Sequence, residues 1–441
     1  MNKKMHDKEN AKVLFTVFNV IIFLVCFLVA LVNYYEFVNY YFYGYVIITA
    51  IYLVIFIIFG KIFEIFELGE TRVNDLFISY SLTLFITHFL IYFITCLISF
   101  RMTPVVPMIV LQLADMVISA LALYLENKYL RDKFPVPKAI AIFGEPNYEI
   151  LNKIYKYRDI LVTIEKKIDI KDIDFNKLDD LLDGYERVIT VDVDHEHKKL
   201  IFKKCYEKYI RVLDIPSISD ILIASSDILH VIDTPILKIN KFGPSALEGL
   251  FKRAIDIIGS LLLIIITSPI MLGTAIAIKI NDGGDILFKQ DRLTKDEKIF
   301  KIYKFRSMIM NAEKKTGAVL AKEDDDRITS VGKFIRKTRF DELPQLFNIL
   351  KGEMTFVGPR PERPELYKEI LKEVPEFKYR LVVKAGLTGY AQIYGKYNTT
   401  TRDKLLLDIY YIENYKLTDD IKLLIQTLKM VFKPESTEGV K

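Results

Sequence analysis

Long apolar stretches dominate the first 125 residues of the chain, and short polar segments separate them. The four longest runs there are Val13–Val32, Tyr40–Gly60, Leu76–Phe100 and Met102–Leu125. The shortest contains 20 residues and no charge. Because a helix rises about 1.5 Å per residue, each run can cross a hydrocarbon core of about 30 Å. The pattern predicts a bundle of four transmembrane helices in residues 1–130.

Basic residues are concentrated at one end of this predicted bundle. They precede the first run and follow the fourth, whereas the loop between the first two runs has no Lys or Arg. The flanking residues are Lys3, Lys4, Lys8, Lys12, Lys128, Arg131, Lys133 and Lys138. Since basic loops stay on the cytoplasmic side, both ends of the bundle are expected in the cytoplasm.

Two titratable residues interrupt the apolar runs, His88 in the third and Asp115 in the fourth. Such groups are costly in lipid and are often functional. The alternative is a hydrogen bond between two helices of a small bundle, and this interpretation is favoured here.

Residues 138–243 change to short β-rich runs separated by Lys-rich amphipathic stretches. The predicted strands are Ala139–Phe143, Asp159–Ile164, Arg187–Asp192 and Tyr209–Leu213. This alternation predicts βαβ units on a small parallel sheet. Gly144-Glu145-Pro146 lacks the further glycines of a phosphate-binding turn, so a regulatory or scaffolding module is expected. His195 and His197 are expected in a solvated polar loop, not at a metal site.

A fifth apolar run, Ile257–Ile278, opens the last part of the chain. Ser268-Pro269 lies at its centre, and a proline inside a helix removes a backbone donor and bends the chain. Basic residues flank both ends of the run, and the sequence after Lys279 is rich in Lys and Arg. A re-entrant hairpin over residues 254–279, entering and leaving on one face, is expected; a bent span is the alternative.

Composition supports a membrane protein with a sizeable water-exposed part. Of the 441 residues, 51% are hydrophobic and 27% are charged, so the two classes must be segregated along the chain. The formal net charge of +5 is too small to indicate nucleic-acid binding. The three cysteines are far apart and form neither a disulfide framework nor a zinc site.

The first candidate catalytic residues are the adjacent carboxylates Asp341 and Glu342. Leu343, Leu346, Phe347 and Leu350 follow at the spacing of one apolar helix face. Pro344 is tolerated only in the first turn, so the pair is expected at the start of that helix. The amino-terminal end of a helix favours anions, which predicts an ionised Asp341 and attraction for a phosphate.

Several cations surround this pair in the sequence. Arg336 and Arg339 precede it, and Arg360 follows between two prolines, as a fixed guanidinium fork suited to a phosphate. Lys304 and Arg306 lie upstream beside an aromatic residue. Cations converging on two carboxylates predict a phosphoanhydride substrate and a divalent metal. The acidic run Glu323–Asp326 is a competing metal site, although a solvated loop is favoured there.

Six motifs of the last domain occur together in one order. They are Lys252–Lys279 with its central Ser-Pro, Gln290-x-Arg292, Lys304–Met308, Arg336–Leu350, Gly358–Glu362 and Gly386–Gln392. Together they resemble the bacterial sugar transferase family, the monotopic phosphoglycosyl transferases that act on polyprenol phosphate. The whole chain resembles the large form of the family, the exopolysaccharide polyprenyl glycosylphosphotransferases.

The resemblance implies the architecture and the reaction. It implies a four-helix transmembrane bundle, a Rossmann-like α/β domain at 138–243, and an α-rich monotopic catalytic domain at 248–441 with a re-entrant membrane hairpin broken at Ser268 and Pro269. The implied reaction moves a hexose 1-phosphate, of galactose or glucose type, from a UDP-sugar to undecaprenyl phosphate and releases UMP. This is the first membrane step of exopolysaccharide, capsule or O-antigen synthesis.

The resemblance also assigns roles to residues. Asp341 corresponds to the nucleophile that forms a phosphosugar-aspartate, and Glu342 to the ligand of Mg²⁺, with Mn²⁺ as an alternative. Arg336 and Arg360 correspond to phosphate-binding arginines, with Lys304 and Arg306 as weaker candidates. Two positions depart from the family pattern: Thr294 stands where Gly is usual, and Ala385 where Pro is frequent.

The implied location is the bacterial inner membrane, with several spans and the catalytic domain on the cytoplasmic face. The implied partners are the UDP-sugar, undecaprenyl phosphate and membrane lipid, with a homo-oligomer and polysaccharide-assembly proteins as further expectations. Two other functions remain open from the residues alone. One is a metal-dependent glycosyltransferase that uses Asp324–Asp326 and releases UDP, and the other is a non-enzymatic membrane regulator.

Overall fold

The computed structural model describes residues 2–33, 42–69, 71–144, 162–239, 242–310, 325–395 and 399–431. The chain divides into two compact units, Met1–Ile215 and Pro216–Lys441. Each unit has its own buried apolar core.

The first unit begins with four long helices. They are α1 (Asn2–Asn33), α2 (Phe42–Ile62), α3 (Val73–Ser99) and α4 (Val106–Lys133). Each is long and apolar enough to cross a membrane, as the hydropathy pattern predicts. Helix α4 packs on both α1 and α3, and α3 also packs on α2. The shared interior contains Phe27, Tyr52 and Ile91, whereas most outward apolar side chains are exposed.

His88 and Asp115 meet inside this bundle. Nε2 of His88 lies 3.4 Å from Oδ2 of Asp115, and Nδ1 lies 2.7 Å from Oε1 of Gln112. Both residues are buried. His88 belongs to α3, and Gln112 and Asp115 belong to α4, so the hydrogen bond that joins these two helices is the one between His88 and Gln112.

Four parallel strands follow the bundle in the same unit. They are β1 (Lys138–Phe143), β2 (Thr163–Asp169), β3 (Arg187–Val191) and β4 (Arg211–Ile215), in the spatial order β2-β1-β3-β4. Helices α5 (Leu178–Leu182) and α6 (His195–Glu207) pack against this sheet. The predicted parallel sheet is therefore present.

Three details differ from the sequence-based expectation. The second strand, Thr163–Asp169, extends past its predicted end at Ile164, and its predicted start at Asp159 lies outside the described residues. The fourth strand is Arg211–Ile215, two residues later than predicted. His195 and His197 form the first turn of α6 and not a loop, because Asp194 caps that helix by accepting a hydrogen bond from the amide of His197 at 3.2 Å.

The second unit combines short helices with two-stranded sheets. Its helices are α7 (Ile218–Ala224), α8 (Ala246–Asp282), α9 (Ser330–Lys337), α10 (Gln345–Lys351), α11 (Pro364–Glu373), α12 (Tyr390–Tyr394), α13 (Thr401–Glu413) and α14 (Leu417–Val431). Its strands are β5 (Asp227–Val231), β6 (Thr234–Lys238), β7 (Leu287–Leu293), β8 (Ile299–Phe305), β9 (Thr355–Val357) and β10 (Gly386–Thr388). The first two strand pairs are antiparallel and β9 is parallel to β10. The hairpins were not predicted.

Helix α8 contains the fifth apolar run and is helical along its whole length, with Pro269 inside it. Pro269 has no amide hydrogen for the carbonyl of Ile265, four residues back. The hydroxyl of Ser268 donates to that carbonyl oxygen at 2.8 Å, so the oxygen keeps a partner. The helix therefore continues past Pro269, and both the bend at Ser268-Pro269 and the re-entrant path stay predictions.

The first turns of α8 are fastened to the rest of the unit by charged side chains. Arg253 donates to the carbonyl oxygens of Ile349 and Leu350 at 2.7 and 2.8 Å, and these lie at the carboxyl end of α10. Asp256 accepts from the amide of Phe356 at 3.0 Å. The membrane-type helix and the elements around the predicted active site therefore form one folded unit.

Candidate active site

Asp341 and Glu342 lie in a single 3-10 turn, Phe340–Glu342, immediately before helix α10. Arg339 begins this turn in the left-handed conformation, with φ of 60°. Pro344 directly precedes the first residue of α10, so its missing amide hydrogen costs no helical bond. The predicted position of the carboxylate pair at a helix start is confirmed.

The face that α10 buries differs from the predicted one. Leu346 is buried as expected, but Phe347 is 40% exposed, and Gln345, Asn348 and Ile349 are buried instead. Asn348 is fully enclosed because its amide group bonds two backbone atoms of β8: it accepts from the amide of Tyr303 and donates to the oxygen of Lys301. A polar residue thus occupies the core face, and this bridge holds α10 against β8.

The side chain of Glu342 is only 16% exposed and is surrounded by cations. Nζ of Lys304, on strand β8, donates to its Oε1 at 2.8 Å. Nη2 of Arg360 lies 3.8 Å from the same oxygen. Two cations predicted from distant parts of the sequence therefore converge on this carboxylate.

The pKa values of the two carboxyl groups shift in opposite directions. Burial raises the pKa of Asp341, and the charge of Glu342 raises it further, against Lys304, Arg336 and Arg339. Burial also opposes ionisation of Glu342, but Lys304, Arg360 and Arg339 prevail and lower its pKa. Because burial and the adjacent carboxylate both disfavour the charge of Asp341, the predicted stabilisation of ionised Asp341 by the helix start is outweighed. Glu342 is the strongly ionised member of the pair.

The loop that carries Arg360 is held by close backbone packing. The amide of Gly358 donates to the oxygen of Thr388, and the amide of Gly386 donates to the oxygen of Pro359, both at 2.9 Å. A Cβ atom on Gly389 would lie 2.2 Å from the carbonyl oxygen of Gly358, closer than any side chain allows. The motifs Gly358–Glu362 and Gly386–Gln392 therefore pack closely against each other where β9 pairs with β10, next to Arg360. The Arg360 side chain itself remains 49% exposed.

The remaining predicted cations have different surroundings. Arg336 lies near the end of α9, and its charge acts on Asp341. Arg306 is buried and donates to the backbone oxygens of Asp285 and Met308, at 2.6 and 3.4 Å. These contacts give Arg306 a structural role at the base of the β7–β8 hairpin, and its phosphate-binding role stays a prediction.

Arg339 also belongs to this site, although the sequence pattern did not identify it as a site residue. Its charge acts on both carboxylates, and its carbonyl oxygen accepts from the amide of Glu342 at 3.1 Å. The only available signal was its position two residues before Asp341. A left-handed non-glycine residue at that point was not evident from the pattern.

The acidic run that competes as a metal site is only partly described. Glu323 and Asp324 lie outside the described residues. Asp325 accepts three hydrogen bonds from Arg327, one from its amide and two from its guanidinium, at 2.5–3.0 Å. Within the described ranges, no group of three or more His, Cys, Asp or Glu side chains is arranged to hold a metal ion.

The carboxylate pair offers a better match to the implied Mg²⁺. Glu342 would supply an ionised oxygen ligand, and Mg²⁺ is commonly bound by one or two carboxylates together with water and substrate phosphates. Such a site needs no cluster of three protein ligands. The residues present therefore fit this ion.

Known proteins are similar to the part of the chain that contains this site. Residues 247–434 match the family model for bacterial sugar transferases. The exopolysaccharide production protein PSS of Rhizobium leguminosarum is 37% identical over 193 residues, which are 41% of this chain and 95% of that protein. The chain belongs to the bacterial sugar transferase family. The resemblance inferred from the six motifs is thereby confirmed.

Two larger relatives carry informative names. A UDP-N-acetylgalactosamine-undecaprenyl-phosphate N-acetylgalactosaminephosphotransferase of Aeromonas hydrophila is 38% identical over 231 residues, 52% of this chain and 54% of that protein. An undecaprenyl-phosphate galactose phosphotransferase of Salmonella typhimurium is 33% identical over 235 residues, 50% of this chain and 48% of that protein. The chain thus matches about half the length of these two sugar transferases.

The two departures from the sugar transferase pattern contact each other. The amide of Ala385 donates to Oγ1 of Thr294 at 3.1 Å, and that hydroxyl in turn donates to the oxygen of Glu353 at 3.0 Å. Both residues are buried. A glycine at 294 has no hydroxyl to accept this bond, and a proline at 385 has no amide to donate it, so the two departures are matched.

Proposed function

We propose that this protein transfers a sugar 1-phosphate from a UDP-sugar to undecaprenyl phosphate and releases UMP. The observation that carries the proposal is the ionised Glu342 beside half-buried Asp341, with Lys304, Arg336, Arg339 and Arg360 acting on the pair. Such a group of cations suits a diphosphate substrate. The names of the sugar transferase relatives, which act on undecaprenyl phosphate, support the same reaction.

The proposed reaction has two steps at one phosphorus atom. A carboxylate oxygen of Asp341 attacks the β-phosphorus of the UDP-sugar, and the bond from that phosphorus to the bridging oxygen breaks, with UMP leaving. An oxygen of undecaprenyl phosphate then attacks the same phosphorus. The bond to Asp341 breaks, the carboxylate is restored, and the product is undecaprenyl diphosphate sugar. A covalent intermediate of this kind gives ping-pong kinetics.

The cations of the site have separable roles in this scheme. Arg360, which is half exposed, is placed to bind an incoming phosphate, whereas Lys304 holds Glu342 in position. Arg336 and Arg339 favour the ionised form of Asp341, which is the form that attacks. A Mg²⁺ ion bound at Glu342 would neutralise charge on the diphosphate.

The proposal includes a topology. The catalytic unit lies on the cytoplasmic face of the bacterial inner membrane, α8 enters and leaves on that face, and the parallel sheet of the first unit is a Rossmann-like domain. The lysine-rich end of the bundle and the exposed apolar surface of α8 support this arrangement. The transferred sugar is a hexose of galactose or glucose type, for exopolysaccharide, capsule or O-antigen synthesis.

The test uses the full-length protein with UDP-sugars labelled with ³²P at the β-phosphate. We expect wild-type protein to release unlabelled UMP and to retain label on the chain when undecaprenyl phosphate is omitted. Asp341→Asn removes the nucleophile, so both signals should fall by orders of magnitude in a folded preparation. The control variant is Asp326→Asn, which should leave both signals unchanged.

Labelled UDP as the nucleotide product would instead identify a glycosyltransferase that keeps the diphosphate intact. Near-native turnover by folded Asp341→Asn would remove the covalent step. A panel of UDP-glucose, UDP-galactose and their N-acetylated forms identifies the sugar in the same assay.

A further inference from the structure

A cavity of about 220 Å³ lies at one end of the four-helix bundle, where α1 and α3 begin and α4 ends. Its polar lining residues are Lys8, Thr71, Arg72, Asn74, Asn127 and Arg131. We call it the interface cavity. Its volume is several times the roughly 30 Å³ that one water occupies. It is smaller than the roughly 300 Å³ at which pockets for drug-sized ligands begin, so it suits a small polar group.

All the charged residues in the described lining of the interface cavity are cations. Lys8, Arg72 and Arg131 come from three separate segments of the chain, and the described lining residues include neither Asp nor Glu. Arginine presents a planar fork of donors that matches the oxygens of a phosphate, and lysine adds a point charge. Cations gathered from distant segments around one cavity therefore favour an anion with several oxygens.

Neutral donors point to the same kind of ligand. Helix α3 begins at Val73 beside the cavity, and its first turn carries one acidic residue, Asp75, which does not line the cavity. The first amides of a helix are donors without helical partners, and they favour an anion. Oγ1 of Thr71 is buried and has no hydrogen-bond partner within the described ranges. Buried polar groups are rarely left unsatisfied, so an absent ligand is a direct explanation.

The position of the interface cavity indicates how the anion arrives. The candidate spans of α1 and α3 begin at Asp7 and Val73, so the cavity lies where both helices enter the membrane. Leu130 and Phe134, both buried, supply an apolar part of its lining. Basic pockets between transmembrane helices at the cytoplasmic surface are suited to lipid headgroups.

We infer that the interface cavity binds a phosphate group, presented by the headgroup of an anionic membrane lipid. The site is remote in sequence from the proposed active site, so the inference does not depend on the transferase reaction. A free phosphate ion has the same recognising chemistry, and the experiment separates the two sources.

The experiment measures Kd by isothermal titration calorimetry on the full-length protein in detergent. The probes are dihexanoyl phosphatidylglycerol, dihexanoyl phosphatidylcholine and inorganic phosphate. We expect saturable binding of phosphatidylglycerol, weakened about tenfold by Arg72→Gln and by Arg131→Gln, because each removes charge-assisted hydrogen bonds. Lys128→Gln is the matched control: Lys128 is an exposed cation on α4 that does not line the cavity, and its loss should leave Kd unchanged.

Thr71→Val tests the neutral donor and does not depend on removing charge. It should weaken binding several-fold without lowering the unfolding temperature of the ligand-free protein, because the lost hydroxyl has no partner to leave behind. A merely structural threonine would give the opposite result, a lower unfolding temperature with unchanged Kd. This variant decides the question if an arginine variant fails to fold.

Each outcome of the titrations has one meaning. Binding of phosphatidylglycerol but not of inorganic phosphate supports the inference with lipid as the source. Binding of inorganic phosphate with the same dependence on Arg72, Arg131 and Thr71 supports the phosphate site and replaces the lipid by the free ion. Absence of saturable binding, or a Kd that none of these three substitutions changes, overturns the inference.

Discussion

Asp341 and Glu342 are adjacent in the chain, yet their surroundings shift their pKa values in opposite directions. Lys304 donates a hydrogen bond directly to Glu342. Asp341 is more affected by burial and by the neighbouring carboxylate of Glu342, and the cations near it act only through their charge. Carboxyl groups whose pKa values are separated in this way can take different roles. The proposed reaction uses Asp341 as the nucleophile and Glu342 as the metal ligand.

The role of Glu342 can be tested by metal binding. Glu342→Gln removes one charge from an oxygen ligand, so we expect the affinity for Mn²⁺, measured by electron paramagnetic resonance, to fall about tenfold or more. The initial rate should need correspondingly more Mg²⁺. Glu365→Gln, at an exposed position of α11, is the control and should bind as wild type does. Superimposable binding curves for Glu342→Gln and wild type would exclude Glu342 as the ligand.

The contact between Thr294 and Ala385 predicts energetic coupling. Thr294→Gly leaves the buried amide of Ala385 without its acceptor, which should cost about 1–3 kcal/mol. Ala385→Pro places a ring carbon where the amide hydrogen met that hydroxyl, so it should also destabilise. The double variant removes both the hydroxyl and the amide, and its loss should be smaller than the sum by about 1 kcal/mol.

A double-mutant cycle on the free energy of unfolding, measured by chemical denaturation in detergent, checks this coupling. Strictly additive losses would mean that the two departures from the family pattern are unrelated. Ala391→Gly, at a partly exposed position nearby, serves as a control that should be additive with Thr294→Gly.

At the scale of elements, helix α8 has two parts with different surroundings. Its first turns carry Lys252, Arg253 and Asp256, which bond to Val357, to the end of α10 and to Phe356. Further along, large apolar side chains such as Ile265, Ile266 and Leu272 are 64–68% exposed. Such an apolar surface is expected to contact lipid. The polar part therefore fastens this apolar helix to the rest of the second unit.

The path of α8 can be decided by cysteine labelling. Lys298→Cys, Lys166→Cys and Arg101→Cys place single thiols after α8, on the parallel sheet and between α3 and α4, in a background without native cysteines. We expect a membrane-impermeant maleimide applied to intact spheroplasts to label only the thiol at 101. Pro269→Ala should then increase labelling at 298, because an uninterrupted apolar helix can cross. Full labelling at 298 without that substitution would mean that α8 spans.

At the scale of the whole molecule, the chain forms two compact units that divide between Ile215 and Pro216. Helix α7, which precedes the predicted start of the catalytic domain at 248, packs Ile221 against Leu405 and Ile409 of α13. All the site residues, from Lys304 to Arg360, belong to the second unit. The smallest stable transferase fragment should therefore include α7.

We expect the Pro216–Lys441 fragment in detergent to retain the transfer reaction, measured as UMP released per folded molecule. A fragment of residues 248–441 should be less stable by about 2–5 kcal/mol, because removing α7 exposes buried side chains of α13. Ile221→Ala in the longer fragment should lie between the two. A monodisperse Pro216–Lys441 fragment that binds UDP-sugar but forms no covalent intermediate would show that the first unit supplies something catalytic.

Much of this protein follows from the sequence because the relevant signals are local. The four long apolar helices follow from the length of the apolar runs, and the parallel sheet follows from the alternation of β-rich and amphipathic segments. The position of Asp341 and Glu342 is set by Pro344, which can only begin a helix. The family was evident from six short motifs in one order.

Other features depend on contacts between residues distant in sequence, and only the tertiary structure decided them. The burial of Asn348 depends on the edge of β8, which lies about 45 positions away in the chain. The opposite pKa shifts of Asp341 and Glu342 depend on burial and on where Lys304 and Arg360 lie, and the helix dipole alone does not account for the raised pKa of Asp341. Periodicity and local propensity are properties of a single segment in water. The burial of a side chain and the charges that act on it depend instead on which other segments pack around it.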